Sequence, residues 1–137
     1  MHLNAARPAQ ALADLDRAVA LDERYASAWD KRCVALLALD RLAEARTDCE
    51  RAIALDPRNI DAMVNAGAVY YKLGLSDAAQ ASYRKALALD PAHGFANHNL
   101  GVLLLDAGRR DEAVRDHIVK GCRAGIEGAC DILRRSR

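Results

Sequence analysis

The sequence predicts an all-α fold, a solenoid of antiparallel helix pairs, and three observations predict it. Asp22, Asp56 and Asp90 mark the same point in successive copies of one unit, so the chain repeats every 34 residues, a period of helix-turn-helix arrays. The clearest copy runs from Asp56 to Pro91 and holds two helix-forming segments, 62–73 and 78–89, parted by a turn at Gly74. The apolar fraction of 52% comes mostly from Ala and Leu, with one Trp, one Phe and four Tyr, which suits close helix packing and suits a β-sandwich badly. An array buries its core between neighbouring units, so 137 residues count units, about three and a half of them.

The elements follow in order. Residues 8–21 read as the second helix of a half repeat, because Ala11, Ala18, Val19 and Leu21 fall one period before Ala45, Ala52, Ile53 and Leu55. Residues 1–6 are too few for the roughly 12 that a stable helix wants. The segment therefore reads as the edge of a longer array or a late start within one. It is expected to expose an apolar strip, which leaves self-association through this edge open. Repeat 1 spans 24–55, with helices at about 24–39 and 42–55; repeat 2 spans 58–89 and repeat 3 spans 92–121. The turn inside each repeat falls on Asp40, Gly74 and Gly108, of which glycine reaches the left-handed conformation freely and aspartate at a modest cost.

Small residues recur where helices must approach closely: Cys33, Gly67 and Gly101; Ala11, Ala45, Ala79 and Ala113; Ala18, Ala52 and Ala86. Larger ones fill the seams, Leu36, Tyr70 and Leu104 on first helices and Leu15, Cys49 and Tyr83 on second helices. Trp29 and Met63 fill the gap toward the neighbouring helix, and Asn97 takes that place in repeat 3, where looser packing is expected. In the same repeat the last small site of the second helix is Lys120, followed by Gly121, which breaks the pattern.

Over residues 8 to about 119 these series resemble the tetratricopeptide repeat (TPR) family, most specifically in repeat 2, where the small, aromatic and proline positions all agree. The resemblance implies a right-handed superhelix whose first helices line a concave groove, and a role in binding proteins, not in catalysis. The stretch from Lys120 to Cys130, with Cys122 and Cys130 separated by seven residues, resembles the helix junction of cysteine-paired Sel-like repeats. That second resemblance implies a Cys122–Cys130 disulfide stapling a capping helix at about 126–135, with Arg134, Arg135 and Arg137 on its polar outer side. Four cysteines allow three pairings. Cys33 and Cys49, on facing sides of one helix pair, read as two small apolar core residues. A disulfide belongs to an oxidising compartment and free thiols to a reducing one, so the cysteines leave cytoplasm and periplasm both open.

Charge excludes several functions. Twenty basic and 19 acidic side chains leave +1 overall, too weak a field to recruit nucleic acid or an anionic membrane. Residues 109–137 hold an excess of three basic groups with no aromatic residue among them for bases to stack on, so they read as a solvated end. The first apolar segment is interrupted by Arg7, Asp14, Asp16 and Arg17, unlike a signal peptide, and the longest uncharged run, 91–105, is too short for a membrane span. His2, His93, His98 and His117 are scattered, with no Cys-x-x-Cys or His-x-x-x-His, so no metal or other cofactor is expected; His117 reads as a packing residue. No nucleophile elbow and no glycine-rich phosphate loop occurs, so the chain is not expected to be an enzyme. The Ala, Arg, Leu and Asp content suggests a bacterial source.

What remains is recognition. By the resemblance, the groove is lined by Asp30, Lys31, Val34 and Leu37 in repeat 1, by Asp61, Val64, Asn65, Ala68, Tyr71 and Lys72 in repeat 2, and by Phe95, His98, Asn99, Val102 and Asp106 in repeat 3. Asn65 and Asn99 are one period apart, and an Asn amide both donates to and accepts from a peptide backbone. The pair resembles the asparagine ladder in the TPR arm of O-linked N-acetylglucosamine transferases, which Lys31 interrupts in repeat 1. A carboxylate clamp for chaperone tails is rejected: only Asn65 of its five positions matches, and Asp30 repels a carboxylate. The expected function is a non-catalytic module that binds an extended peptide or a partner protein. Two other readings stay open, a regulatory or targeting segment of a larger enzyme such as a glycosyltransferase, and a thiol redox sensor using Cys122 and Cys130.

Overall fold

The computed structural model describes residues 3–135, and regular structure among them is helical throughout. The helices are α1 Leu3–Leu21, α2 Ala26–Ala38, α3 Leu42–Leu55, α4 Ile60–Lys72, α5 Ser76–Leu89, α6 Gly94–Asp106, α7 at 110–123 and α8 Glu127–Arg135. The pairs α2–α3, α4–α5 and α6–α7 pack against each other, and α1 packs on α2 as the second helix of a preceding pair does. First helices also touch one another, α2 to α4 and α4 to α6, so they form the inner layer of the solenoid. α1 begins at Leu3 and not at Pro8. The preceding residues need no helix of their own because they extend this one, and Pro8 forgoes a single intrahelical hydrogen bond. Arg137, expected on the outer side of the cap, lies outside the described residues.

Two turns repeat with the sequence. Within each pair the chain reverses at a residue of positive φ: Asp40 at 59°, Gly74 at 79° and Gly108 at 81°. At Gly74 its N–H donates to the Tyr71 carbonyl at 3.0 Å and Leu75 N–H to the Tyr70 carbonyl at 2.8 Å, the doubly bonded helix end that a left-handed residue permits. Gly125, at 92°, ends α7 in the same way. Between pairs, the Asp22, Asp56 and Asp90 carboxylates accept from the N–H two residues on, at 3.0, 3.3 and 3.3 Å. Those aspartates mark the period because each closes the same turn.

The core lies between layers. Ala45, Ala52, Ala79 and Ala86 are wholly buried, as are Cys33 and Cys49. A Cβ on Gly67 would stand 2.4 Å from Cε1 of the buried Tyr83 ring, so the aromatic seam residue of α5 fits only because α4 has no side chain there.

Three expectations are corrected. Cys33 and Cys49 are not two separate apolar residues but a disulfide, because the small residues of α2 and α3 bring their Cα atoms to 5.4 Å, within bridging range. Asn97 does not loosen repeat 3: it is fully buried, and its Nδ2 donates to the Pro91 and His93 carbonyls, both at 3.0 Å. Its Oδ1 is 3.0 Å from His117 Nδ1, which must carry the proton because the amide nitrogen is already committed. Lys120 does not disrupt the packing of α7 either. A π-helical turn at Ala113–Ile118 re-phases the helix by one residue, so that Lys120 is exposed and Gly121 takes the buried small site, with Ile118 wholly buried in the seam.

A second disulfide joins Cys122 of α7 to Cys130 of α8. At the other end the sequence reading missed an ion-pair cluster: Arg32 forks onto the buried Asp48 at 2.7 and 3.0 Å and reaches Asp16 at 3.1 Å, tying α1, α2 and α3 together.

Two outcomes follow from this packing. Gly67→Val is expected to lower the urea midpoint by an amount equivalent to about 1–3 kcal/mol, by forcing the Tyr83 ring aside. The second concerns His117, whose imidazole is held below the usual histidine range by burial first and then by Arg84, with Lys120 acting the same way and Asp116 and Glu112 opposing. The folded state then binds fewer protons than the unfolded chain once pH falls below about 6.5, so stability is full above that pH and is lost on acidification. Urea midpoints at pH 7.5 and pH 5 should differ less in His117→Gln, which keeps a donor for Asn97 but does not titrate.

Candidate functional site

Helical periodicity decides which side chains share the inner layer. On α4, Asp61 and Asn65 are four residues apart and Ala68 and Lys72 continue the row; on α6, Phe95, Asn99, Val102 and Asp106 do the same. The structure gathers these rows around two adjoining hollows. A central one of about 390 Å³ is lined by Asp30, Asp61, Val64, Asn65, Phe95 and Asn99, with His93 and Ala68 completing it. A smaller one of about 180 Å³ is lined by Tyr71, Lys72, Tyr83, His98, Asn99 and Val102. Asn99 and Ala68 belong to both, so the two form one groove along α4 and α6.

Its polar groups are already engaged with one another. Asn65 Nδ2 donates to Asp30 Oδ1 at 2.9 Å, joining repeat 2 to repeat 1. The buried Tyr83 hydroxyl lies on the same hollow as Asn99, and its pKa is pushed up to about 12 chiefly by burial. The Tyr71 hydroxyl donates to Asp106, and that bond raises the tyrosine's pKa. Asn65 therefore does not face the groove as a free amide: its nitrogen is already bonded to Asp30. Burial likewise raises the pKa of Asp30, with Asp61 adding to the shift while Asn65 and Lys31 oppose it.

Phe95 is 59% exposed and Tyr71 41%, large apolar areas for side chains in a helical layer. His98 sits at the C-terminal end of the groove, backed by Gly121 and Gly128, where a Cβ would come within 3.2 and 3.3 Å of it. Burial holds its ring below the usual histidine range, and its Nδ1 is buried with no hydrogen-bond partner among the described residues.

Three groove residues fall elsewhere. Lys31 and Val34 line a separate hollow of about 570 Å³ with Arg7, Pro8, Ala11 and Leu15 of α1. Leu37 packs on the core around Cys33 and Val69. Asp30, whose side chain the sequence marks only as a groove position, proves to be the partner of Asn65; no periodicity announces that bond, since it crosses from one repeat to the next. His93 is a second addition. It caps α6 by accepting from Ala96 N–H at 3.2 Å, which leaves its Nε2 facing Asp61 at 3.8 Å. Among the described residues no group of three or more His, Cys, Asp or Glu is placed to hold a metal ion, and no helix is long and apolar enough to cross a membrane.

Comparison with known proteins bears on this arrangement. Residues 34–74 match the family model of the TPR repeat and residues 60–93 that of the tetratricopeptide repeat. Two crystal structures of MamA superpose with TM-scores of 0.74 and 0.75, at 28% and 31% identity, over 94% and 85% of this chain and 70% and 63% of theirs. A thermophilic TPR protein of Thermus thermophilus superposes at 0.77, with 27% identity over 91% of this chain and 69% of its own. The first TPR of Spaghetti, bound to an HSP90 peptide, superposes at 0.72 over 75% of this chain and 82% of its own, and at 22% identity that likeness is one of fold. A comparison with curated protein sequences found no match. With the 34-residue period and the paired helices, these matches show that the chain belongs to the tetratricopeptide-repeat family, and that it is a protein–protein interaction module.

Proposed function

We propose that the groove along α4 and α6 binds an extended segment of a partner protein, with Asn65 and Asn99 as its backbone contacts. One observation carries this reading: two amides one repeat apart line the same hollow, beside an aromatic ring that is more than half exposed. An Asn whose Nδ2 is tied to Asp30 keeps its carbonyl oxygen as a fixed acceptor for a peptide N–H, and a tied amide loses little further entropy on binding. Phe95, Tyr71 and Val102 supply the apolar contacts, while Lys72 and His98 border the C-terminal half. Backbone recognition of this kind is indifferent to most ligand side chains. A chaperone tail ending in carboxylates is not the ligand we propose, because Asp30 and Asp61 line the hollow it would enter.

The test is selection of a displayed random dodecapeptide library on the wild-type protein, followed by titration of the enriched peptides. Asn65→Ala with Asn99→Ala is expected to raise Kd about tenfold or more, the effect of losing two hydrogen bonds that are together worth about 1–3 kcal/mol. The circular dichroism melt checks that the variant is folded. Equal affinity in a folded double variant refutes the groove reading.

A further inference from the structure

Charge is not spread evenly along the inner layer. Arg7 and Lys31, with one carboxylate, Asp14, line the hollow toward the N-terminus, and Lys72 lines the one toward the C-terminus. The central hollow between them is lined by two carboxylates, Asp30 and Asp61, and by no lysine or arginine. Lys31 acts on Asp30 but offsets only part of the burden on that carboxylate, since burial and Asp61 push the other way. His93 Nε2 stands 3.8 Å from Asp61, beyond hydrogen-bond distance, while its Nδ1 is occupied as the cap acceptor of α6. Phe95 forms a wall of the same hollow with 59% of its surface exposed.

We infer that the central hollow is a pocket for one cationic side chain of the bound segment, a Lys or Arg held between the carboxylates of Asp30 and Asp61 with its apolar stem against Phe95. The inference rests on the groove reading above and names the residue class that reading leaves open. Asp30 is the oriented partner: the bond from Asn65 fixes its Oδ1, and Oδ2 remains for an incoming donor. Asp61 is well exposed and contributes a screened attraction. A cation over an aromatic face gains a further contribution that neither carboxylate supplies. The flanking cations make the choice positional, since Lys31 and Lys72 repel the same side chain in the neighbouring hollows and so set the register of the ligand.

A positional-scanning library of N-acetylated, C-amidated decapeptides, with one position fixed in turn as Lys, Arg, norleucine or Glu, tests this on the wild-type chain and on Asp30→Asn with Asp61→Asn. Both substitutions keep the shape, and the amide oxygen introduced by Asp30→Asn would still accept from Asn65. Wild type is expected to prefer Lys or Arg over norleucine at least tenfold at one position and to exclude Glu there. In the variant that preference should fall to about twofold, with norleucine peptides bound as before. Preferred binding of norleucine or Glu, or a cation preference that survives in the variant, overturns the pocket while leaving the groove reading intact. Absence of any peptide binding by wild type overturns both.

Discussion

Close approach of helices at positions where side chains are small is the constraint on which this solenoid depends. Ala45, Ala52, Ala79 and Ala86 have no exposed surface, and Gly67 lies where even a methyl group would enter the Tyr83 ring. The same closeness that buries these residues brings Cys33 and Cys49 to bridging distance. It also explains why the pattern repeats so faithfully. One oversized residue at a small site separates two helices along their whole contact, and the seam residues Leu36, Tyr83 and Leu104 then lose the surfaces they fill.

Repeat 3 shows how a departure from the pattern is accommodated. A lysine stands where Ala52 and Ala86 stand in earlier repeats, and the helix answers by inserting a π turn, which presents Gly121 in place of Lys120. Helices are re-phased in this way when the packing energy of the correct face exceeds the cost of one irregular turn. The shift also sets Cys122 opposite Cys130 and Gly121 against His98. The groove's C-terminal wall, the disulfide and the π turn thus lie together where the repeat departs from its pattern.

Most of the fold was legible because it is governed by spacing. Aspartate at every thirty-fourth position, the turn residues Asp40, Gly74 and Gly108 and the small series all report local rules that each repeat obeys by itself. What the sequence did not show are side-chain pairings between helices, some within a repeat and some between repeats. The Arg32–Asp48–Asp16 cluster, the Asn65–Asp30 bond and the Asn97–His117 pair join residues 16 to 35 positions apart. Many charged and amide side chains lie at such separations, and which of them meet depends on the twist between layers. For the same reason the groove positions were readable from helical phase, whereas the assignment of Lys31 to a different hollow from Asn65 was not.

The pairings that escaped the sequence are those that give the groove its character. An asparagine on an unused surface would rotate freely, but Asn65 is held by Asp30, and Asn99 shares its hollow with the Tyr83 ring that Gly67 admits. The small site that lets α4 and α5 touch therefore also places the Tyr83 ring in the wall of the hollow beside α6. The shape of the groove is thus inherited from the core through Gly67 of α4 and Tyr83 of α5. A groove built this way meets its ordering cost during folding, which leaves the energy of each ligand contact available for recognition.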